Sequence, residues 1–182
     1  MRTALRPDVK TLIRAALCAA LIVVCSWISI PWMVPFTMQT FAVFFACEVM
    51  GGAAIWPVLL YLLLGAIGLP VFSGMKGGLG VMLGPTGGYM IGFIGIALLM
   101  SGWKRLLKGK LVTVGMALGL LLCYLIGTVW FVEVYSRGAQ AVSYATALSW
   151  CVLPFIGPDL VKLALARLVG NRVKLALKGE HA

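Results

Sequence analysis

The stretch Pro154-Phe155-Ile156-Gly157-Pro158-Asp159-Leu160-Val161-Lys162 places two opposite charges inside the last apolar run of the chain. On insertion scales a charge at the centre of a membrane helix costs roughly 2.5–3.5 kcal/mol, so a pair there needs a compensating role. Pro158 suits the first helical position, because the N–H it lacks is one that no helix start satisfies internally. A helix beginning there carries Asp159 in its first turn, where the dipole favours an anion. Lys162, three residues on, shares that face, so the two side chains can hold one polar ligand or each other. We read them as a binding site. The competing reading is a self-satisfied ion pair that only fixes helix packing.

The rest of the composition fits such a helix. The chain has 182 residues, 62% hydrophobic and 11% charged. That is outside the range of soluble domains and marks an all-α integral membrane protein of one domain, residues 1–182. A net charge of +10 raises nucleic acid as a partner, but the basic residues flank apolar runs in three clusters, as the positive-inside rule requires. Cys18, Cys25, Cys47, Cys123 and Cys151 all lie in apolar stretches without CxxC spacing, and the single histidine is His181. We therefore expect neither a metal site nor histidine acid–base chemistry. Arg2, Arg6, Lys10 and Arg14 before an apolar run superficially resemble a signal peptide; without a small-x-small cleavage site the run is read as an uncleaved first span.

Six spans are expected, at approximately 11–30, 37–51, 54–69, 85–103, 111–132 and 158–176, with 139–153 a short re-entrant or surface helix. The second and third are short and would be tilted or cross only part of the bilayer. In the first, Ala15 and Ala19, and likewise Ala16 and Ala20, recur every fourth residue, a spacing that lets another helix approach closely, within the chain or from a partner. Between the third and fourth spans, residues 74–89 hold seven glycines in sixteen positions. Each costs about 1 kcal/mol against alanine in a helix, so this is irregular backbone. At membrane depth such backbone survives only where protein buries it or it lines a cavity. The run lacks the phosphate-loop ending, and a backbone presenting N–H groups to a ligand at Gly78, Gly80 and Gly87 competes with a plain tight turn.

Twelve of the fifteen Lys and Arg residues fall in the N-terminal segment, the 104–110 loop and the C-terminal end. With six spans these share one side, the cytoplasmic one, together with both termini. The glycine-rich loop, the connection from Pro31 to Phe36 and the start of the last helix then lie outside. There Thr37, Gln39, Lys76, Thr86, Tyr89, Asp159 and Lys162 offer hydroxyl, amide, ammonium and carboxylate groups, with Phe36, Phe72 and Phe155 as apolar lining. A small, mostly apolar molecule with a few hydrogen-bonding groups and an anionic end suits such a pocket.

Four runs, Val34-Pro35-Phe36-Thr37-Met38-Gln39-Thr40, Gly77-Gly78-Leu79-Gly80 with Gly84-Pro85-Thr86-Gly87-Gly88-Tyr89, Gly127-Thr128-Val129-Trp130, and Pro154-Phe155 with Asp159-x-x-Lys162, resemble the BioY family, the biotin-binding S components of energy-coupling factor transporters. The resemblance covers nearly the whole chain. It implies a six-helix protein of the bacterial cytoplasmic membrane that captures biotin at its outer face and is not an enzyme. Delivery inward would use a transmembrane T component and two ATPases, with ATP hydrolysed by those partners and no cofactor in this chain. Some members work without these partners. The resemblance assigns T-component contact to Ala15, Ala16, Ala19 and Ala20. Where the family has Pro-Gly before the aspartate, this chain has Gly157-Pro158, which bears on the aim of Asp159. On this reading Asp159 accepts a ureido N–H and Lys162 donates to the ureido oxygen or the carboxylate. Gln39, Thr86 and Tyr89 complete the polar set, and Lys76 is a second partner for the carboxylate. Alternatives are another vitamin or a biotin precursor as cargo, a membrane-embedded lipid enzyme using Glu48, Asp159 or Glu133, or a structural subunit without ligand. Whether the chain acts alone, as a homo-oligomer or with an ATPase module is open, because docking and packing stripes look alike.

Overall fold

The computed structural model describes residues 8–103, 110–138 and 141–179; the expected charge cluster Lys104, Arg105 and Lys108, together with Arg2, Arg6 and His181, lies outside them. Helix α1, Val9–Trp27, starts where the Asp8 carboxylate accepts from the Thr11 N–H at 3.0 Å, an N-cap that satisfies one of the free amides of the first turn. It ends before Pro31 rather than at it. Ser29–Ile30 (β1) and Phe36–Thr37 (β2) pair antiparallel, Ser29 opposite Thr37, so both prolines sit in the connection, where no ladder donor is missed. Helix α2, Gln39–Met50, runs through a 3₁₀ turn, Gly51–Ala53, towards α3, Ile55–Ala66. At 1.5 Å per residue each of these helices is about 18 Å long, well short of a hydrocarbon core of roughly 30 Å.

The glycine-rich stretch is a small folded unit. Phe72 and Lys76 bridge antiparallel around a turn in which Gly74 and Met75 both have positive φ. Gly78, at φ 95°, then admits the chain into a single helical turn, α4, Leu79–Met82. Helices α5, Gly87–Trp103, and α6, Lys110–Gly138, make the most extensive contact in the fold. The glycine stripe at the start of α5 explains it: a Cβ at Gly88 would lie 2.2 Å from Trp130 Cβ, and one at Gly92 would lie 2.6 Å from Cys123 Sγ. Helix α7, Tyr144–Cys151, packs on α6 and α8, and α8, Leu153–Gly179, lies along α2. Helix α1 covers α2 and α3.

Phe44, Tyr61, Phe72, Ile96, Met116 and Phe131 are fully buried, while Leu12, Leu17, Leu63, Leu121, Leu125 and Leu168 project from the outer surface. So broad an exposed apolar surface belongs in lipid rather than water. Val9–Trp27 and Leu111–Arg137 are long and apolar enough to cross a membrane; Gln39–Ala53, Ile55–Ala66 and Gly87–Gly102 are apolar but shorter.

The start of the last helix departs from expectation. It begins at Leu153, with Pro158 inside it and Asp159 in its second turn. The backbone N–H groups of Phe155 and Ile156 both donate to the Val152 carbonyl, so helical winding is under way before the proline arrives. The Pro158 ring removes one later donor without stopping the helix. The first-turn dipole argument for Asp159 therefore does not hold, and its setting comes from side chains instead.

Candidate binding site

One end of the bundle holds a pocket lined from α2 by Gln39 and Thr40, from α5 by Tyr89, Met90 and Phe93, from α6 by Leu120, Cys123 and Tyr124, and from α8 by Phe155, Asp159 and Lys162. Val34, Pro35, Thr37, Ser73, Thr86 and Cys151 complete the wall. A mainly apolar lining with a few convergent polar groups is usual for a small-molecule site.

Asp159 is 2% exposed and Lys162 is 5% exposed, so neither faces lipid or water. Lys162 Nζ donates to Asp159 Oδ1 at 2.8 Å and to the Thr37 carbonyl at 2.7 Å. The β1–β2 pair fixes the short strand that carries this carbonyl. Thr40 Oγ1 donates to Asp159 Oδ1 at 2.8 Å, and Tyr124 Oη donates to Asp159 Oδ2 at 2.7 Å. The ammonium lies 4.3 Å from the centre of the Phe36 ring, which stacks on Phe155 at 5.2 Å. An ion pair this deep needs further hydrogen bonds to both partners, which Thr40 and Tyr124 give to the carboxylate and the Thr37 carbonyl to the ammonium.

The neighbouring polar residues are held just as firmly. Thr37 Oγ1 donates to Gln39 Oε1 and accepts from the Gln39 N–H, while Gln39 Nε2 donates to Tyr61 Oη. Gln39 is thereby fixed at the start of α2 with Thr40 beside it. On the opposite wall the Gly127-Thr128-Val129-Trp130 run of α6 serves as a cradle for the Gly84–Tyr89 run. The Tyr89 ring lies where a Cβ on Gly127 would be, 2.2 Å from its nearest carbon, and its hydroxyl is 3.3 Å from Thr128 Oγ1. Trp130 Nε1 donates to the Gly84 carbonyl at 2.9 Å.

Of the site residues expected from sequence, Asp159, Lys162, Thr37, Gln39, Thr86 and Tyr89 line the cavity. Gly78, Gly80, Gly87 and Lys76 do not. Gly78, at φ 95°, and Gly87, against the Met82 carbonyl, shape the loop, and Gly80 lies in α4 with open space where a side chain would project. Lys76 is exposed at the end of its hairpin, and Phe72 is buried edge-on to Tyr61 rather than in the cavity wall. The alanine stripe divides as well: Ala15 and Ala19 are buried inside the chain, and Ala16 and Ala20 face outward. Thr40 and Tyr124, which bind the Asp159 carboxylate, were missed. A signal existed for Tyr124, since Leu120, Cys123, Tyr124 and Thr128 fall on one face of an apolar span at helical spacing. Glu48, at the far end of α2, is not in the cavity; it is 1% exposed and paired with Arg167 at 2.6 Å and Lys174 at 3.4 Å.

The BioY family model matches residues 1–179. The chain belongs to the BioY family. Among its relatives, the biotin transporter BioY of Thermotoga maritima is 42% identical over 170 residues, covering 91% of this chain and 96% of that one. The probable biotin transporter BioY of Pyrococcus horikoshii is 42% identical over 142 residues, covering 78% and 81%. Among solved structures, the fold is similar to the S-component for biotin from an ECF-type ABC transporter, with TM-score 0.81 and 26% identity over 91% of each chain. BioY proteins are membrane transporters, which removes the lipid-enzyme reading.

Proposed function

We propose that this chain is the biotin-capturing S component of an uptake system in the cytoplasmic membrane, with the Asp159–Lys162 cavity as its substrate site. The observation that carries the reading is the unfilled hydrogen-bonding capacity of the buried ion pair. An ionised carboxylate offers about four acceptor positions and an ammonium three donors. Asp159 receives three hydrogen bonds and Lys162 gives two, so one acceptor on Oδ2 and one donor on Nζ remain beside the cavity. A cyclic urea presents an N–H next to a carbonyl and needs one acceptor and one donor side by side. The thiophane ring and alkyl chain of biotin suit the Met90, Phe93, Leu120 and Phe155 surfaces.

The polarity of the bundle supports capture from outside. Helix α2 starts at the cavity with Gln39 and ends at Glu48, beside Arg167 and Lys174. Arg167 and Lys174 therefore lie at the end opposite the cavity, and by the positive-inside rule that end is cytoplasmic. Six membrane-embedded helices, α1, α2 with its 3₁₀ turn, α3, α5, α6 and α8, meet this topology. Delivery inward would use a T component and ATPases that hydrolyse ATP, this chain needing no cofactor of its own. Ala16 and Ala20, exposed among the described residues, suit a close helix contact with the T component.

Titration of the detergent-purified chain with biotin by calorimetry tests the reading. Saturable one-to-one binding, with other vitamins failing to compete, is expected. Absence of biotin binding, or equal competition by an unrelated vitamin, would overturn it.

A further inference from the structure

We infer that Tyr124 determines specificity by filling one acceptor position of Asp159, so that the carboxylate has room for a single ligand N–H. The inference rests on the biotin reading and deepens it. Tyr124 Oη donates to Asp159 Oδ2 at 2.7 Å, from a side chain that is 8% exposed and lines the cavity. Oδ1 is already filled by Thr40 and Lys162. A ligand that sends two N–H groups to the carboxylate must displace the phenol, and among the described residues the phenol has no other hydrogen-bond partner. A buried donor left without an acceptor bears the full desolvation penalty, so such a ligand is rejected more strongly than the loss of one bond implies.

The neighbouring Lys162 discriminates in the same direction. Its free N–H requires an acceptor, and its charge repels a cation at 3 Å range. Together the two residues select a neutral urea over a guanidinium of the same ring shape, which has donors on all three nitrogens and favours a two-point contact with a carboxylate. Tyr124 thus acts through Asp159, as a positioning residue whose hydroxyl sets how many ligand donors the carboxylate takes.

The test compares biotin, its cyclic guanidino analogue 2-iminobiotin, and desthiobiotin, which keeps the urea but lacks the sulfur. Affinities are measured for wild type, Tyr124→Phe and Thr40→Val in detergent, with melting temperature as a check on folding. Wild type is expected to prefer biotin over the guanidino analogue by at least about a hundredfold, since a mismatched polar group at a hydrogen-bonding site is penalised by orders of magnitude. Tyr124→Phe frees the second position on Oδ2. It should weaken biotin about tenfold and narrow the biotin to guanidino ratio by about tenfold, leaving the biotin to desthiobiotin ratio unchanged. Thr40→Val vacates a position on Oδ1 instead, beside the ammonium whose charge keeps a cationic ligand away, so it should weaken biotin and the guanidino analogue by equal factors. Equal weakening of all three ligands in Tyr124→Phe would make the tyrosine merely structural and overturn the inference while leaving biotin binding intact. Equal affinity of wild type for biotin and the guanidino analogue would overturn it whether or not the variant folds. Failure of wild type to bind biotin at all would instead remove the functional reading on which it stands.

Discussion

Changing Asp159 to Asn separates the two roles that a buried charge pair can play, binding a ligand and holding helices together. The amide keeps the shape of the carboxylate but removes its charge. Lys162 then loses its counter-charge, keeping the Thr37 carbonyl and the Phe36 ring, with a neutral amide oxygen where the carboxylate was. Breaking a buried ion pair from one side costs about 3–5 kcal/mol, and the two surviving contacts argue for the lower end, about 3 kcal/mol. For a chain of this size that lowers the melting temperature by about 6–12 °C. Lys162→Met should cost a similar amount, since Asp159 keeps Thr40 and Tyr124 but loses its counter-charge. The double variant leaves no unpaired charge and should recover most of the loss, a coupling of about 2–3 kcal/mol in the mutant cycle. Binding should behave differently. Each single variant loses a charged hydrogen bond to the ligand, tenfold or more in affinity, and the double variant should be the weakest of the three. The assay is a four-member set of thermal melts with a biotin titration of each. Recovery of both stability and affinity in the double variant would refute the reasoning, because the pair would then be a packing device unconnected with the ligand.

Other changes probe separate parts of the fold. Gly127→Ala puts a Cβ about 2.2 Å from the Tyr89 ring and should destabilise the chain by about 1–3 kcal/mol while weakening biotin, both read in the same melts and titrations; no change in either would mean the ring does not rest there. Glu48→Ala leaves Arg167 and Lys174 without their shared carboxylate between α2 and α8, and should lower stability by about 1–3 kcal/mol while leaving biotin affinity within twofold. A large loss of affinity would show that the two ends of α2 are coupled. Asp8 has its carboxyl held below its ordinary value of 3.8, chiefly by a hydrogen bond from the Thr11 side chain and then by the Thr11 N–H. Because the folded value is the lower one, the N-cap contributes above the unfolded value and is lost as pH falls through the folded one. Hydrogen-exchange protection of the Thr11 amide should therefore drop in acid, and constant protection from neutral pH to about pH 2 would refute the cap.

Most of the architecture could be read from residue patterns because membrane helices must satisfy their backbone internally, which leaves long apolar runs bounded by glycine, proline and basic residues. Asp159 and Lys162 stood out because charge inside such a run is rare. The patterns were weaker where tertiary contact overrides local preference. Pro158 looks like a helix start, yet Val152 already accepts from Phe155 and Ile156 and the helix passes through. The glycine-rich run looks like a ligand cradle, yet its Gly87 and Gly88 serve close approach by Met82 and α6. The fourfold alanine repeat on α1 gave no means of telling its two faces apart; burial places Ala15 and Ala19 against the chain itself. Tyr124 went unnoticed because a tyrosine in an apolar span reads as ordinary lining until the carboxylate opposite is known.

A structure of the chain with biotin bound tests the central claim most directly. The ureido ring should lie in the cavity with one N–H within hydrogen-bonding distance of Asp159 Oδ2 and its oxygen beside Lys162 Nζ, Tyr124 still bonded to the carboxylate. Biotin bound anywhere else, or in the cavity with its ureido ring turned away from both charged groups, would contradict it.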